Sequence, residues 1–231
     1  MRPNESMTET RRRAALLAAE TKAEALLAEI EAAGLIAPGR SERDVEDDIG
    51  ALAQARFGIE RHWHRRIVRA GANTLTTAWD YPPLRIIAPD DTVYVDLGPV
   101  FEEWEADIGR TYALGSDPAK NKLVADLPRV FGYVQNHYNN SPEITGAELY
   151  AFALAAAEEA GWAFGGAIAG HIVGEFSHMT IPGDRDLNRI SPKNPTPMRS
   201  NDTLGRPKHW ILEIHLVDHA RTFGGFYERL L

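Results

Sequence analysis

The chain has 231 residues, 44% hydrophobic and 25% charged, enough to bury one substantial core, so a single domain over 1–231 is expected. Its 33 Asp and Glu against 25 Lys and Arg leave a formal charge of -8, which argues against a nucleic-acid partner. Cysteine is absent, which excludes a disulfide framework, a thiolate metal site and a thiol nucleophile; any metal must be held by carboxylate and imidazole.

The amino-terminal stretch MRPNESMTETRRRAALLAAETK is basic, but its apolar part is short, interrupted at Glu20 and without a clear cleavage site, so no secretory leader is read. No run approaches the ~18 apolar residues of a membrane span. A soluble cytoplasmic protein with no membrane partner is the expectation. Residues 1 to about 9 are expected to form a short flexible terminus. Leu16, Leu17, Ala23, Leu26, Leu27 and Ile30 then predict an amphipathic helix over 10–33, stopped by Gly34. Ser41 with Asp44 makes a capping box for a second helix to about Arg56.

After Gly58 the period changes. Arg66-Ile67-Val68-Arg69 and Thr92-Val93-Tyr94-Val95 read as strands, separated by turns around Tyr81-Pro82-Pro83. Asp117-Pro118 opens a helix towards Asn139, which Pro128 should kink or divide. Thr145 and Glu148 form a second capping box, opening an Ala-rich helix to about Gly161. Residues 180–207 have no sustained period and predict a long loop. His209–Val217 and Arg221–Glu228 read as closing strands, and the whole order predicts an α+β fold.

Phosphate-binding, HExxH and GxSxG motifs are all missing. The acids supply the chemistry instead. Asp96 breaks the apolar run VYVDL, and Asp107 follows eleven residues later. A hairpin centred between Phe101 and Glu102 would set the two directly opposite, about 5 Å apart, where they repel unless a cation or a shared proton lies between them. Acids flanking a turn are the alternative. Glu213 and Glu228 repeat the arrangement about a centre near Ala220-Arg221, unless Gly224-Gly225 introduces a bulge or Glu228 is an ordinary terminal charge. Between the pairs, GHIVGEFSH places His171 and His178 seven apart. One imidazole and four carboxylates suit two divalent ions such as Mn, Co, Fe or Zn. A mononuclear zinc site on Glu213, His215 and His219 competes with this arrangement.

The order Asp, Asp, Gly-His with a second His, Glu and a terminal Glu, running from about residue 10 to the end, resembles the M24 metallopeptidase family. This is the pita-bread fold of methionine aminopeptidases, Xaa-Pro aminopeptidases, prolidases and creatinase. The resemblance implies an antiparallel curved sheet covered by helices and a dinuclear centre. In it Asp96 binds one ion, Asp107 and Glu228 bridge both, and His171 and Glu213 complete the other. Glu213 would also move a proton, and His178 would steady the developing oxyanion. Arg110 and His215 are candidates for support behind the ligands.

The implied activity is that of an aminopeptidase or dipeptidase cleaving short peptides, Xaa-Pro or at the amino terminus, by a metal-bridged hydroxide. The alternatives are a C–N hydrolase or lyase acting on a small metabolite, and a metal-free binding module. A homodimer is one oligomeric state the resemblance allows. Two departures stand out. The family's histidine after Gly-x-Asn is not found after Gly71-Ala72-Asn73, where Ala78 or Trp79 falls instead and neither His62 nor His64 is assigned to replace it. The extra amino-terminal domain of prolidases and creatinases is not expected either.

Overall fold

The computed structural model describes residues 3–231, with side chains from Glu9 onward. Helix α1 spans Pro3–Ala32. The expected flexible terminus therefore falls partly on residues 1 and 2, outside the described residues, and partly on the first turns of α1. Helix α2, Glu42–Phe57, begins with the expected capping box, and Gly58 closes it in the left-handed conformation (φ 65°) that glycine adopts without a Cβ clash. The Thr145–Glu148 box likewise opens helix α4, Gly146–Glu159.

Helix α3 runs unbroken over Pro118–Asn140, through Pro128. Proline deletes one backbone bond there, but Leu123, Leu127, Val130, Phe131 and Val134 all bury against neighbouring elements, and that packing keeps the helix undivided.

Seven antiparallel strands make the main sheet: β1 (Ile67–Ala70), β2 (Thr92–Leu97), β5 (Ile108–Ala113), β6 (Ala163–Phe164), β7 (Gly170–Val173), β8 (His209–Val217) and β9 (Gly224–Leu230). Their order is β1-β2-β5-β9-β8-β6, and β7 pairs with β8. The two-strand ladder of β3 (Val100–Phe101) and β4 (Trp104–Glu105) extends the β2/β5 hairpin. The closing pair is β8 as expected and β9, which starts later than Arg221; Arg221 instead lies in the turn at φ 54°.

Two cores lie behind this sheet. Ala23, Leu26, Leu27 and Ile30 of α1 and Val45, Ile49 and Ala53 of α2 pack against Val68, Val93, Val95 and Ile108. Leu123, Leu127 and Val130 of α3 and Leu149 and Ala153 of α4 pack against Leu212, Ile214 and Leu216. Side chains alternate across a strand, so the residues between these, Asp96 on β2 and Glu213 on β8, face away from the helices.

The 180–207 segment is held down more firmly than its composition suggests. Ile190 N–H donates to the Gly170 carbonyl at 2.8 Å, and Ile190 and Met198 are buried in the α3/α4 core. The fully buried Asn194 side chain donates to the carbonyls of Leu187 and Arg189 and accepts from Thr196.

Candidate metal centre

Asp96 pairs with Gly109 across β2/β5, Gly109 with Glu228 across β5/β9, and Glu228 with Glu213 across β9/β8. Cross-strand partners share a face, so these acids form one row across four strands. The Glu213–Glu228 register is the expected one, and no bulge intervenes, because Leu216 and Val217 pair directly with Gly225 and Gly224.

The first hairpin differs from expectation. Asp96 and Asp107 are not direct partners, because the turn falls at Glu102-Glu103 rather than one residue earlier: Phe101 pairs with Trp104 and Val100 with Glu105. Glu102 takes φ 59° to make that turn, a conformation its side chain does not advertise. The ladder continues through an Ala106 N–H to Pro99 carbonyl bond and the Leu97–Ile108 pair, which sets Asp107 opposite Gly98. A shift of this kind keeps parity, so Asp107 remains on the face of Asp96 as its diagonal neighbour.

Gly98 has a reason of its own. A Cβ there would lie 2.3 Å from His64 Cδ2 and 2.4 Å from Trp63 Nε1. The chain before β1 crosses at this point and delivers His64 into the acids. His64 Nε2 is 3.3 Å from Asp96 Oδ1 and 3.2 Å from Asp107 Oδ1. From the other side, His171 on β7 brings Nε2 to 3.0 Å from Asp107 Oδ2 and 3.6 Å from Glu213 Oε1. Two clusters able to ligate an ion result, His64–Asp96–Asp107 and Asp107–His171–Glu228, and Asp107 belongs to both.

The electrostatics are those of crowded buried acids. Burial pushes Asp96 up to about 6 and Glu213 up to about 7. Burial, then the charges of Asp107, Asp96 and Glu213, drive Glu228 well above the usual carboxylate range. Burial would also raise Asp107, but its contacts with His171 and His64 outweigh this and hold it below its ordinary value. For the two imidazoles burial works downward, yet the surrounding carboxylates lift both His64 and His171 to about 9. Even so, Glu228 Oε2 is buried with no hydrogen-bond partner, and Asp107 Oδ2 meets only the His171 imidazole. A buried carboxylate oxygen without a donor is costly, and a cation beside it removes the cost.

His178 is buried beside this cluster, stacked on His171 with ring centroids 5.1 Å apart. Its Nδ1 is 2.7 Å from Glu105 Oε2, and its backbone N–H donates to Glu105 Oε1 at 3.0 Å. The Trp63 indole meets His64, His171 and His178 edge-on at 4.4, 4.9 and 4.8 Å. Trp63, His64 and Glu105 were not expected here. The H-x-H of His62 and His64 and the buried-looking Glu105 between Trp104 and Ala106 were the available signals.

Two expected supporting residues lie elsewhere. Arg110 pairs with Val95 on the helix-facing side of β5 and donates to Glu31 of α1 at 2.9 Å, so it does not reach the acids. His215 shares the face of Glu213, but its Nε2 lies 2.8 Å from the Thr74 carbonyl, where it secures the turn after β1. His219 is exposed beyond β8, so Glu213, His215 and His219 do not assemble as a zinc site. Trp79, near the place expected for the family's extra histidine, is 67% exposed.

Fold and cluster together define a class: an α+β chain of the pita-bread type, with carboxylates and imidazoles gathered on the sheet face away from the helices. Residues 12–210 match metallopeptidase family M24, and the chain belongs to that family. It is similar in fold to an X-Pro aminopeptidase from Thermotoga maritima, with TM-score 0.71 and 20% identity over 96% of this chain and 57% of that one. It is similar also to a prolidase from Pyrococcus horikoshii (TM-score 0.67, 22% identity, 93% of this chain and 58% of that one). A methionine aminopeptidase from Rickettsia prowazekii has TM-score 0.66 and 12% identity, over 96% of this chain and 92% of that one. The chain thus spans little more than half the length of the prolidase and X-Pro aminopeptidase. No curated protein matches it in sequence.

Proposed function

We propose that the chain is a hydrolase of peptide C–N bonds that works with two divalent ions from the set Mn, Co, Fe and Zn. Asp107 and Glu228 would be shared between the ions, with Asp96 on one and His171 and Glu213 on the other. The observation that carries this reading is the crowding of buried acids and imidazoles about Asp107, which belongs to both clusters able to ligate an ion, with the buried Glu228 Oε2 left without a hydrogen-bond partner beside it. The donor set also fits: oxygen ligands with imidazole suit these metals. His171 Nδ1 lies 2.8 Å from the Ile172 carbonyl, and donating its proton there leaves the Nε2 lone pair for a metal.

Bound divalent ions supply Lewis acidity and a nucleophile at neutral pH. The protein's own groups do the rest. Glu213, raised towards 7 by burial, is suited to accept a proton from the nucleophile and return it to the leaving amine. His178, oriented by the Glu105 carboxylate, can hydrogen-bond the carbonyl oxygen as negative charge develops on it. Trp63 shields the three imidazoles from one side and keeps that part of the site apolar.

The substrates proposed are short peptides, read from the prolidase, dipeptidase and aminopeptidase likenesses. A panel of peptides with amino-terminal Met, amino-terminal Pro and Xaa-Pro, assayed on Mn- and Co-loaded protein, should show cleavage of at least one class. Two bound ions with no cleavage across the panel would point instead to a small non-peptide amide. Failure to bind metal would overturn the hydrolase reading.

A further inference from the structure

We infer that His64 is itself a metal ligand, giving the ion at Asp96 an imidazole of its own. This inference rests on the dinuclear reading above and extends it, since His64 lies outside the five ligands which the sequence pattern supplies. It makes the two metal positions chemically alike: His64 with Asp96 at one, His171 with Glu213 at the other, and Asp107 between them.

Three observations converge on this. The first is distance. Ligand atoms held ~2.0–2.2 Å from one ion, at angles between octahedral and tetrahedral, lie ~3.0–3.5 Å from each other. His64 Nε2 is 3.3 and 3.2 Å from the Oδ1 atoms of Asp96 and Asp107, which fits a common ion. His171 Nε2 stands in the same relation to its own acids, at 3.0 and 3.6 Å.

The second is the orientation of the ring. His64 Nδ1 lies 2.6 Å from the carbonyl of the next residue, Arg65, just as His171 Nδ1 lies 2.8 Å from the carbonyl of Ile172. Both imidazoles can give their Nδ1 proton to their own backbone, and both then turn Nε2 into the acids. That tautomer, set by an anchored Nδ1–H, is the one metal-binding histidines use.

The third is how firmly the approach is built. Gly98 has no side chain where His64 and Trp63 cross the strand, and the Trp63 N–H to Gly98 carbonyl bond (2.9 Å) pins the crossing. A surface histidine resting on two acids would need no such accommodation.

The experiment compares full-length wild-type protein with His64→Ala and His64→Asn in titrations with Co(II), read by visible absorption and calorimetry. Wild-type protein should take two ions. Each variant should keep one of them at near wild-type affinity and bind the other at least ~10-fold more weakly. His62→Ala, two residues away, should leave both unchanged. In wild-type protein labelled with 15N-histidine and loaded with Zn, the Nε2 signals of two histidines should move to metal-bound positions, which requires no variant to fold. Movement of one signal only, or two unchanged affinities in the His64 variants, would overturn the inference and leave the dinuclear reading standing. Fewer than two ions on the wild-type protein would overturn both.

Discussion

The molecule presents two acidic hairpins, and they solve one problem differently. In β8/β9 the acids Glu213 and Glu228 are direct cross-strand partners. In β2/β5 the acids are staggered: Asp96 faces Gly109, and Asp107 faces Gly98. Both empty positions are glycines, and both are filled by something else. Phe226 and Glu228 pack over Gly109, while His64 and Trp63 pack over Gly98. In the staggered hairpin the position opposite each acid is thus taken by side chains from outside it, whereas in the direct one each acid has the other opposite it. The open position at Gly98 lets His64 reach Asp107 from one side, while His171 on β7 reaches it from the other, so that Asp107 touches two histidines.

If this asymmetry governs the site, Asp107 is its most damaging position. Asp107→Ala should eliminate the rise in melting temperature on adding metal, an effect worth about 2.7 kcal/mol per ion at 100 times Kd. Asp96→Ala should remove only part of it. Equal effects of the two changes, measured by thermal unfolding with and without Mn, would contradict the sharing of Asp107.

In the direct pair, Glu213→Gln keeps shape and removes the acceptor of a proton. We expect kcat to fall by ~10²–10⁴-fold with a smaller change in KM. A change confined to KM would assign Glu213 to substrate binding.

The two halves also have separate cores. Leu27 of α1 lies behind the first hairpin, and Leu127 of α3 behind the second. Each change to Ala should cost ~2–5 kcal/mol, and the double variant should add within about 0.5 kcal/mol, as independent sites do. Strong non-additivity in urea unfolding would show that the halves share one core.

The smallest expected effects come from the matched capping boxes. Ser41→Ala at α2 and Thr145→Ala at α4 should each lower stability by ~0.5–2 kcal/mol. A loss of metal affinity in Ser41→Ala alone would sharpen the comparison further. It would tie the chain after α2, which carries His64, to the first metal position.

Local chemistry made much of this readable from the residues. Both capping boxes, the limits of β8 and the facing of Glu213 and Glu228 follow from short-range rules. The serine and threonine bond within their own first turn, and alternation along a strand places every second side chain on one face. The residue pattern sets the turn of the first hairpin one residue early because Glu102 adopts φ 59°, where glycine or asparagine is the usual signal. Arg110 stood beside the second aspartate in sequence yet points to α1, because its parity puts it on the helix face once the register is set.

What the amino-acid sequence determined by itself was the chemical make-up of the cluster: acids in apolar runs, with a histidine between them and no sulfur, a donor set suited to a hard or borderline cation. What only the tertiary structure decided was its membership. His64 lies 32 residues before Asp96 and 43 before Asp107 in a segment with no periodic pattern. Its entry depends on a bare Gly98 two strands away and on the backbone carbonyl that fixes its ring. Such long-range coincidences leave no periodicity in the chain, because they are set by how the strands register and where the crossing segment lands, not by any residue's neighbours in sequence.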